Sequence, residues 1–97
     1  MIKSFRHRGL HRFFETGSKA GIRPDHAAKL QRQLAVLDSA EGINDLPVAW
    51  KPHPLAGSGP SGSLLAGHYA IWVSGNWRLT FYFDDNDVHL LDYLDYH

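Results

Sequence analysis

Two periodicities divide the chain. Up to Gly42 the apolar residues recur at helical spacing, and from His68 onward they alternate. Arg8 to Glu15 reads as a short helix closed by Thr16-Gly17, with Leu10, Phe13 and Phe14 as its apolar stripe and Arg6, Arg8, His11 and Arg12 left wet. A second helix starts at Pro24, whose fixed φ suits a first turn, and Asp25, which favours the positive end of the helix dipole. Ala27, Leu30, Leu34 and Leu37 repeat along it, while Lys29, Gln31, Arg32 and Gln33 form a charged and polar face that reads as solvated. Ile2 to Phe5 is a candidate edge strand, and Ile43 to Val48 a linker.

Beyond the linker, Tyr69, Ile71 and Val73 alternate with His68, Ala70 and Trp72, and Trp77, Leu79, Phe81 and Phe83 alternate with Arg78, Thr80 and Tyr82. Ser74-Gly75-Asn76 and Asp84 to Asp87 carry turn chemistry, so two successive hairpins end in a strand from Val88 to Tyr93. A first turn centred on Gly75 sets Val73 against Trp77, Ile71 against Leu79, Tyr69 against Phe81, Trp72 against Arg78 and His68 against Tyr82. A second turn centred between Asp85 and Asn86 sets Phe81 against Leu90, Tyr82 against His89 and Arg78 against Tyr93. One face of the sheet then collects His68, Trp72, Arg78, Tyr82, His89 and Tyr93. The expected architecture is α+β, with two N-terminal helices packed on the other face of a small, mainly antiparallel sheet.

At 97 residues the chain is one domain, 1–97, too short for a doubly wound dinucleotide fold. Its 43% hydrophobic and 12% aromatic content is enough to order it by burial. The lack of cysteine removes disulfides, thiolate catalysis and cysteine-based zinc sites. No stretch resembles a membrane helix or a signal peptide, so a cytoplasmic protein is expected. Ten Lys and Arg against ten Asp and Glu argue against a general nucleic-acid coat protein. The balance is uneven, however: residues 1–51 hold nine cations against five anions, and residues 52–97 hold one against five. That one cation is Arg78.

Several motifs dissolve on inspection. Gly57-Ser58-Gly59-Pro60-Ser61-Gly62 spells a dinucleotide loop, but it contains Pro60 and leads into a strand rather than a helix. His7 and His11 have the i, i+4 spacing of a two-histidine metal face without its glutamate or a third ligand. Asp84, Asp85 and Asp87 begin like a calcium loop but lack its glycine and distal glutamate. Arg78 supports two readings, a salt bridge to Asp92 or Asp95 and a phosphate clamp beside aromatic neighbours.

The run Met1-Ile2-Lys3-Ser4-Phe5, the segment His53-Pro54-Leu55, the strand Val73-Ser74-Gly75-Asn76-Trp77-Arg78-Leu79-Thr80-Phe81 and the ending Asp92-Tyr93-Leu94-Asp95-Tyr96-His97 together resemble the HigB group of RelE-like toxins. The resemblance covers nearly the whole chain, apart from an enlarged loop at 57–67. It implies a RelE-like microbial RNase fold and a bacterial type II toxin. Such a toxin is a ribosome-dependent mRNA endonuclease that inhibits translation, working without metal or cofactor. The partners it implies are the ribosome, mRNA and a helix-turn-helix, HigA-like antitoxin, with no membrane and no DNA bound by the toxin itself. By motif match, His53, Arg78, Asp95, Tyr96 and His97 are the catalytic residues, with Arg78 stabilising charge and His53, Tyr96 and His97 sharing acid–base work. One departure is Ala56, where the family pattern has lysine, which fits either natural divergence or an inactivating replacement. An alternative reading is a non-catalytic module of the same fold acting through protein contacts, and a stand-alone RNA-binding domain ranks below it.

Overall fold

The computed structural model describes residues 1–55 and 67–96. Two helices, α1 (Arg8–Thr16) and α2 (Ala27–Ser39), precede an antiparallel sheet of four strands in the order β1 (His53–Pro54), β2 (His68–Ser74), β3 (Trp77–Asp84) and β4 (Asp87–Asp95). Single 3-10 turns, Pro24–His26, Ile43–Asp45 and Val48–Trp50, shape the connections.

The helix ends follow local chemistry. The His7 side chain accepts from the Leu10 backbone N–H at 3.0 Å and caps α1, and Gly17 closes it in the left-handed conformation at φ 79°. Leu10 and Phe13 are buried, whereas Phe14 is 37% exposed and lies beside Phe5, correcting its place in the apolar stripe. With Leu10 and Phe13 centred on the core, the next position at 100° per residue falls on the flank. On α2, Ala27, Leu30, Leu34 and Leu37 are buried as expected, but so is Gln33, which the polar pattern placed in water. Its Nε2 donates at 2.9 Å to the Trp72 carbonyl, which lies beyond the two-residue reach of β1.

These helix residues join Ile71, Val73, Leu79, Phe81, Val88, Leu91 and Tyr93 in one core. The β2–β3 register is the one that alternation predicts at Ile71/Leu79, Tyr69/Phe81, Trp72/Arg78 and His68/Tyr82. Near the turn it differs, with Ser74 rather than Val73 opposite Trp77, because a bulge takes up one residue and leaves the two-residue turn Gly75-Asn76. In the second hairpin, Asp85 and Asn86 both adopt positive φ, the pattern of a type I′ turn, and Tyr82 faces His89 as predicted.

A second bulge then overturns the rest of that register. Leu90 turns to φ 53°, and beyond it Leu79 faces Tyr93 while Arg78 faces Leu94. Tyr93 therefore leaves the Arg78 face and is buried, only 3% exposed. Ser4 holds the bulge, its hydroxyl accepting from Leu90 N–H at 2.8 Å and its carbonyl from Leu91 N–H at 3.1 Å. The expected edge strand at Ile2 to Phe5 is two parallel bridges to β4, Ile2 with Val88 and Phe5 with Leu91.

One close approach depends on glycine. A Cβ on Gly9 of α1 would lie 2.5 Å from the Gly21 carbonyl oxygen, and a Cβ on Gly21 would lie 2.5 Å from Gly9 Cα. Both contacts are with backbone, so neither can yield by a rotamer change. Gly9→Ala should lower the denaturant midpoint by the equivalent of about 1–3 kcal/mol with an unchanged m-value. Gly42→Ala, where nothing lies within 4 Å, should not.

Candidate functional site

The Gly75-Asn76 turn is where two of the expected site residues, Arg78 and Tyr96, meet. Arg78 projects from β3 and turns its Nη1 back onto the carbonyls of Gly75 (2.8 Å) and Trp77 (3.0 Å). Trp72, its cross-strand partner, donates Nε1–H to the same Gly75 carbonyl at 3.1 Å. From the far end of β4, Tyr96 N–H donates to the Asn76 carbonyl at 2.8 Å, and its side chain is exposed. Asp95 stands opposite Trp77 in the ladder. The structure thus brings Arg78 and Tyr96 to one end of the sheet, with Asp95 at the same end but on the Trp77–Tyr93 face, while His97, Ala56 and the glycine motif Gly57 to Gly62 lie outside the described residues.

The ion pairs recorded among the described residues join the N-terminal amine to Asp87, His11 to Glu15 and Arg23 to Asp25; Arg78 is in none of them. Its guanidinium is instead braced on carbonyls, which fixes the fork without neutralising it. That favours the phosphate reading of Arg78 over the salt-bridge one, because a carbonyl-braced guanidinium keeps its full charge and other donors for an anion.

His53 sits on the exposed edge strand β1, paired with Ala70 two residues from Trp72. Its Nδ1 is 3.0 Å from the Lys51 carbonyl. A carbonyl only accepts, so in the neutral ring the proton resides on Nδ1 and the lone pair on Nε2.

Two further cations reach this end: Lys29, which the sequence pattern placed on a solvated helix face, and Lys51, which stands near Ala56 in sequence as a substitute for the absent lysine. Lys29 Nζ lies 4.0 Å from the Trp72 ring centroid, and Lys51 Nζ lies 5.3 Å from it. Lys51 is also held at φ 52° as the residue closing the Val48–Trp50 turn. Burial pushes the Lys29 ammonium below its ordinary value, with Arg32 adding to the effect. The one available signal was spacing: Lys29 and Gln33 are four apart on α2, and both reach Trp72.

Behind the site lies a buried aromatic group. Tyr93 stacks on Trp77 with centroids 4.5 Å apart, and its hydroxyl shares a hydrogen bond with Nδ1 of buried His26. Burial lowers the pKa of His26 and raises that of Tyr93; Arg23 and Lys29 also disfavour the His26 cation, while Asp25 favours it. His26 is thus held neutral in the fold but takes a proton near pH ~6.5 when unfolded. Its stabilising contribution is complete above that pH and is lost as pH falls toward the lower folded value. Chemical denaturation at about pH 7.5 and about pH 5.5 should show a larger loss of stability in the native chain than in His26→Gln.

The remaining motifs have structural roles. His7 caps α1, His11 pairs with Glu15 and stacks on Phe5, and Asp84 to Asp87 form the second turn. A hollow lined by Phe13, Phe14, Leu34 and Ala35 lies between α1 and α2 and contains none of the residues above.

Comparison with known proteins bears on this geometry. A family model described as the RelE-like toxin of the type II toxin-antitoxin system HigB matches residues 3–97. A protein of Proteus vulgaris named Endoribonuclease HigB is 38% identical over 98 residues, an alignment covering the whole of both chains.

Proposed function

The chain belongs to the HigB-like family of RelE-like toxins of type II toxin–antitoxin systems, and from that premise we propose that it is an endoribonuclease cutting mRNA in the ribosomal decoding site. The observation that carries this reading is the meeting of Arg78 and Tyr96 at the Gly75-Asn76 turn, with His53 on the neighbouring edge and its Nδ1 turned to the Lys51 carbonyl. In this reading the helices cover one face of the sheet and leave the Trp72–Arg78 face to RNA.

His53 Nε2 takes the proton of a ribose 2′-hydroxyl, whose oxygen attacks the adjoining phosphorus. Arg78 stabilises the negative charge that builds on the non-bridging oxygens. The bond from phosphorus to the 5′-oxygen breaks, and the Asp95-Tyr96-His97 group supplies the proton that the leaving oxygen needs. The products are a 2′,3′-cyclic phosphate and a 5′-hydroxyl. The chain's neutral total charge fits an enzyme that relies on the ribosome to hold its substrate. A helix-turn-helix, HigA-like antitoxin is the expected cytoplasmic partner, covering some of the nine cations of residues 1–51.

Primer extension on translated mRNA after induction should show new ends within reading frames. Growth arrest with intact mRNA would favour the non-catalytic, protein-binding reading instead. Ala56→Lys should raise the cleavage rate if the absent lysine limits it.

A further inference from the structure

Lys29 and Lys51 have no part in the reaction just described, yet they come from two separate elements, α2 and the Val48–Trp50 turn, to the same indole. Trp72 is itself anchored at both ends. Its indole N–H is tied to the Gly75 carbonyl that Arg78 also uses, and its own carbonyl takes the Gln33 amide. The result is two cations at one ring, whose N–H shares its carbonyl acceptor with the Arg78 guanidinium. Lys29 and Lys51 are in none of the ion pairs recorded among the described residues.

Cations held against an aromatic face in this way are positioned without being neutralised, since the ring's quadrupole attracts the ammonium but leaves its N–H donors available. A chain that wanted these charges only for solubility would not need to order them. The acid-rich stretch, Asp84 to Asp87, lies away from these cations, in the turn at the other end of β3.

We propose that Lys29 and Lys51, positioned by Trp72, form a phosphate clamp that holds the phosphodiester of single-stranded RNA next to the one engaged by Arg78. The clamp rests on the endonuclease reading for the identity of its ligand. Because a nucleic-acid strand repeats its charge at every nucleotide, a strand whose scissile phosphate sits at Arg78 must carry its next phosphate past Trp72 or away from it. The two ammonium groups select the first path. An acidic protein segment offers carboxylates to the same cations, but it gives no reason for their continuity with Arg78 through the Gly75 carbonyl.

The test is binding of a fluorescein-labelled, 2′-O-methyl RNA oligonucleotide, which cannot be cleaved, measured by anisotropy over a salt series. Lys29→Gln with Lys51→Gln should weaken binding about tenfold and reduce the slope of log K against log salt by about 0.7 for each phosphate that is no longer neutralised. Lys29→Arg with Lys51→Arg should restore most of both. Arg12→Gln, at an exposed cation of α1, should leave binding nearly unchanged. On programmed ribosomes the double glutamine variant should raise KM more than it lowers kcat.

The proposal is overturned if the double variant moves affinity and slope no more than Arg12→Gln. It is overturned equally if native protein shows no measurable affinity for the RNA, or if the double variant loses only antitoxin binding. Cleavage is scored separately. Weakened RNA binding by the double variant of a chain that never cleaves would uphold the clamp and refute the endonuclease, and cleavage with an unmoved salt slope would do the reverse.

Discussion

Replacing Arg78 with alanine should lower the rate of mRNA cleavage on programmed ribosomes by about 10²–10³-fold while leaving the protein folded. The magnitude is that of removing one fixed donor aimed at charge that develops in the transition state. Arg78 is such a donor: the Gly75 and Trp77 carbonyls hold its Nη1 before substrate arrives, so little reorganisation remains at the moment of reaction. Arg78→Lys keeps the charge but loses the planar fork and one brace, and should recover only part of the rate. Removing the two hydrogen bonds to carbonyls costs about 0.5–1.5 kcal/mol each at most, since both acceptors are near the surface and can turn to water. A melting curve close to that of the native chain, together with a collapsed rate, separates the catalytic role from a structural one. Unchanged cleavage by Arg78→Ala would remove Arg78 from the site.

The largest effect on stability is expected at Phe81. It is fully buried at the centre of β3, with its ring 5.6 Å from Phe83 and 6.4 Å from Tyr69, and it stands where β4 changes register at Leu90. Phe81→Ala removes the ring from a site enclosed by strands and helices that cannot collapse far, which costs about 3–5 kcal/mol. A domain of this size has roughly 5–15 kcal/mol in total. The variant should therefore melt at least about 12 °C lower and populate unfolded chain measurably at room temperature. Phe83→Ala, at a half-buried ring, should cost much less. Equal effects from the two would show that the core does not lie where the structure puts it.

How far such features could be read in advance depended on whether one residue or two competing residues carried the signal. The β2–β3 register was legible because Ile71, Leu79 and Phe81 have no rivals for the inner face, and a slip would expose them all. In β4 the adjacent Leu90 and Leu91 both qualify. The choice is made by Ser4, which bonds the backbone of both residues and stabilises a bulge that no alternation pattern contains. Tyr93 followed that bulge inward, away from Arg78 and onto Trp77 and His26. Gln33 was hidden for a related reason: its partner is a backbone carbonyl beyond the end of the short β1, and side-chain patterns do not reveal unpaired backbone groups.

The candidate site divides along the same line. Arg78 stood out as the lone cation among the acids of residues 52–97, and its pairing with Trp72 came from counting back from the turn. His53, Asp95 and Tyr96 were legible only through resemblance, since each is an ordinary polar residue at a strand end. Lys29 and Lys51 were legible only as cations near the right segments, not as neighbours of Trp72. On α2 and in a turn they look like solvated lysines, and only the fold brings them to the same ring.

The central claim is that this chain cuts RNA through the ribose 2′-hydroxyl at the Arg78 face. The decisive experiment uses purified ribosomes programmed with an mRNA carrying a single 2′-deoxy substitution at the mapped cleavage nucleotide. The all-ribose message should be cut efficiently, with a 5′-hydroxyl on the downstream fragment, and the deoxy message should not be cut at that bond. Cleavage at the deoxy position at the native rate, or no cleavage of either message by a folded protein, would refute the claim.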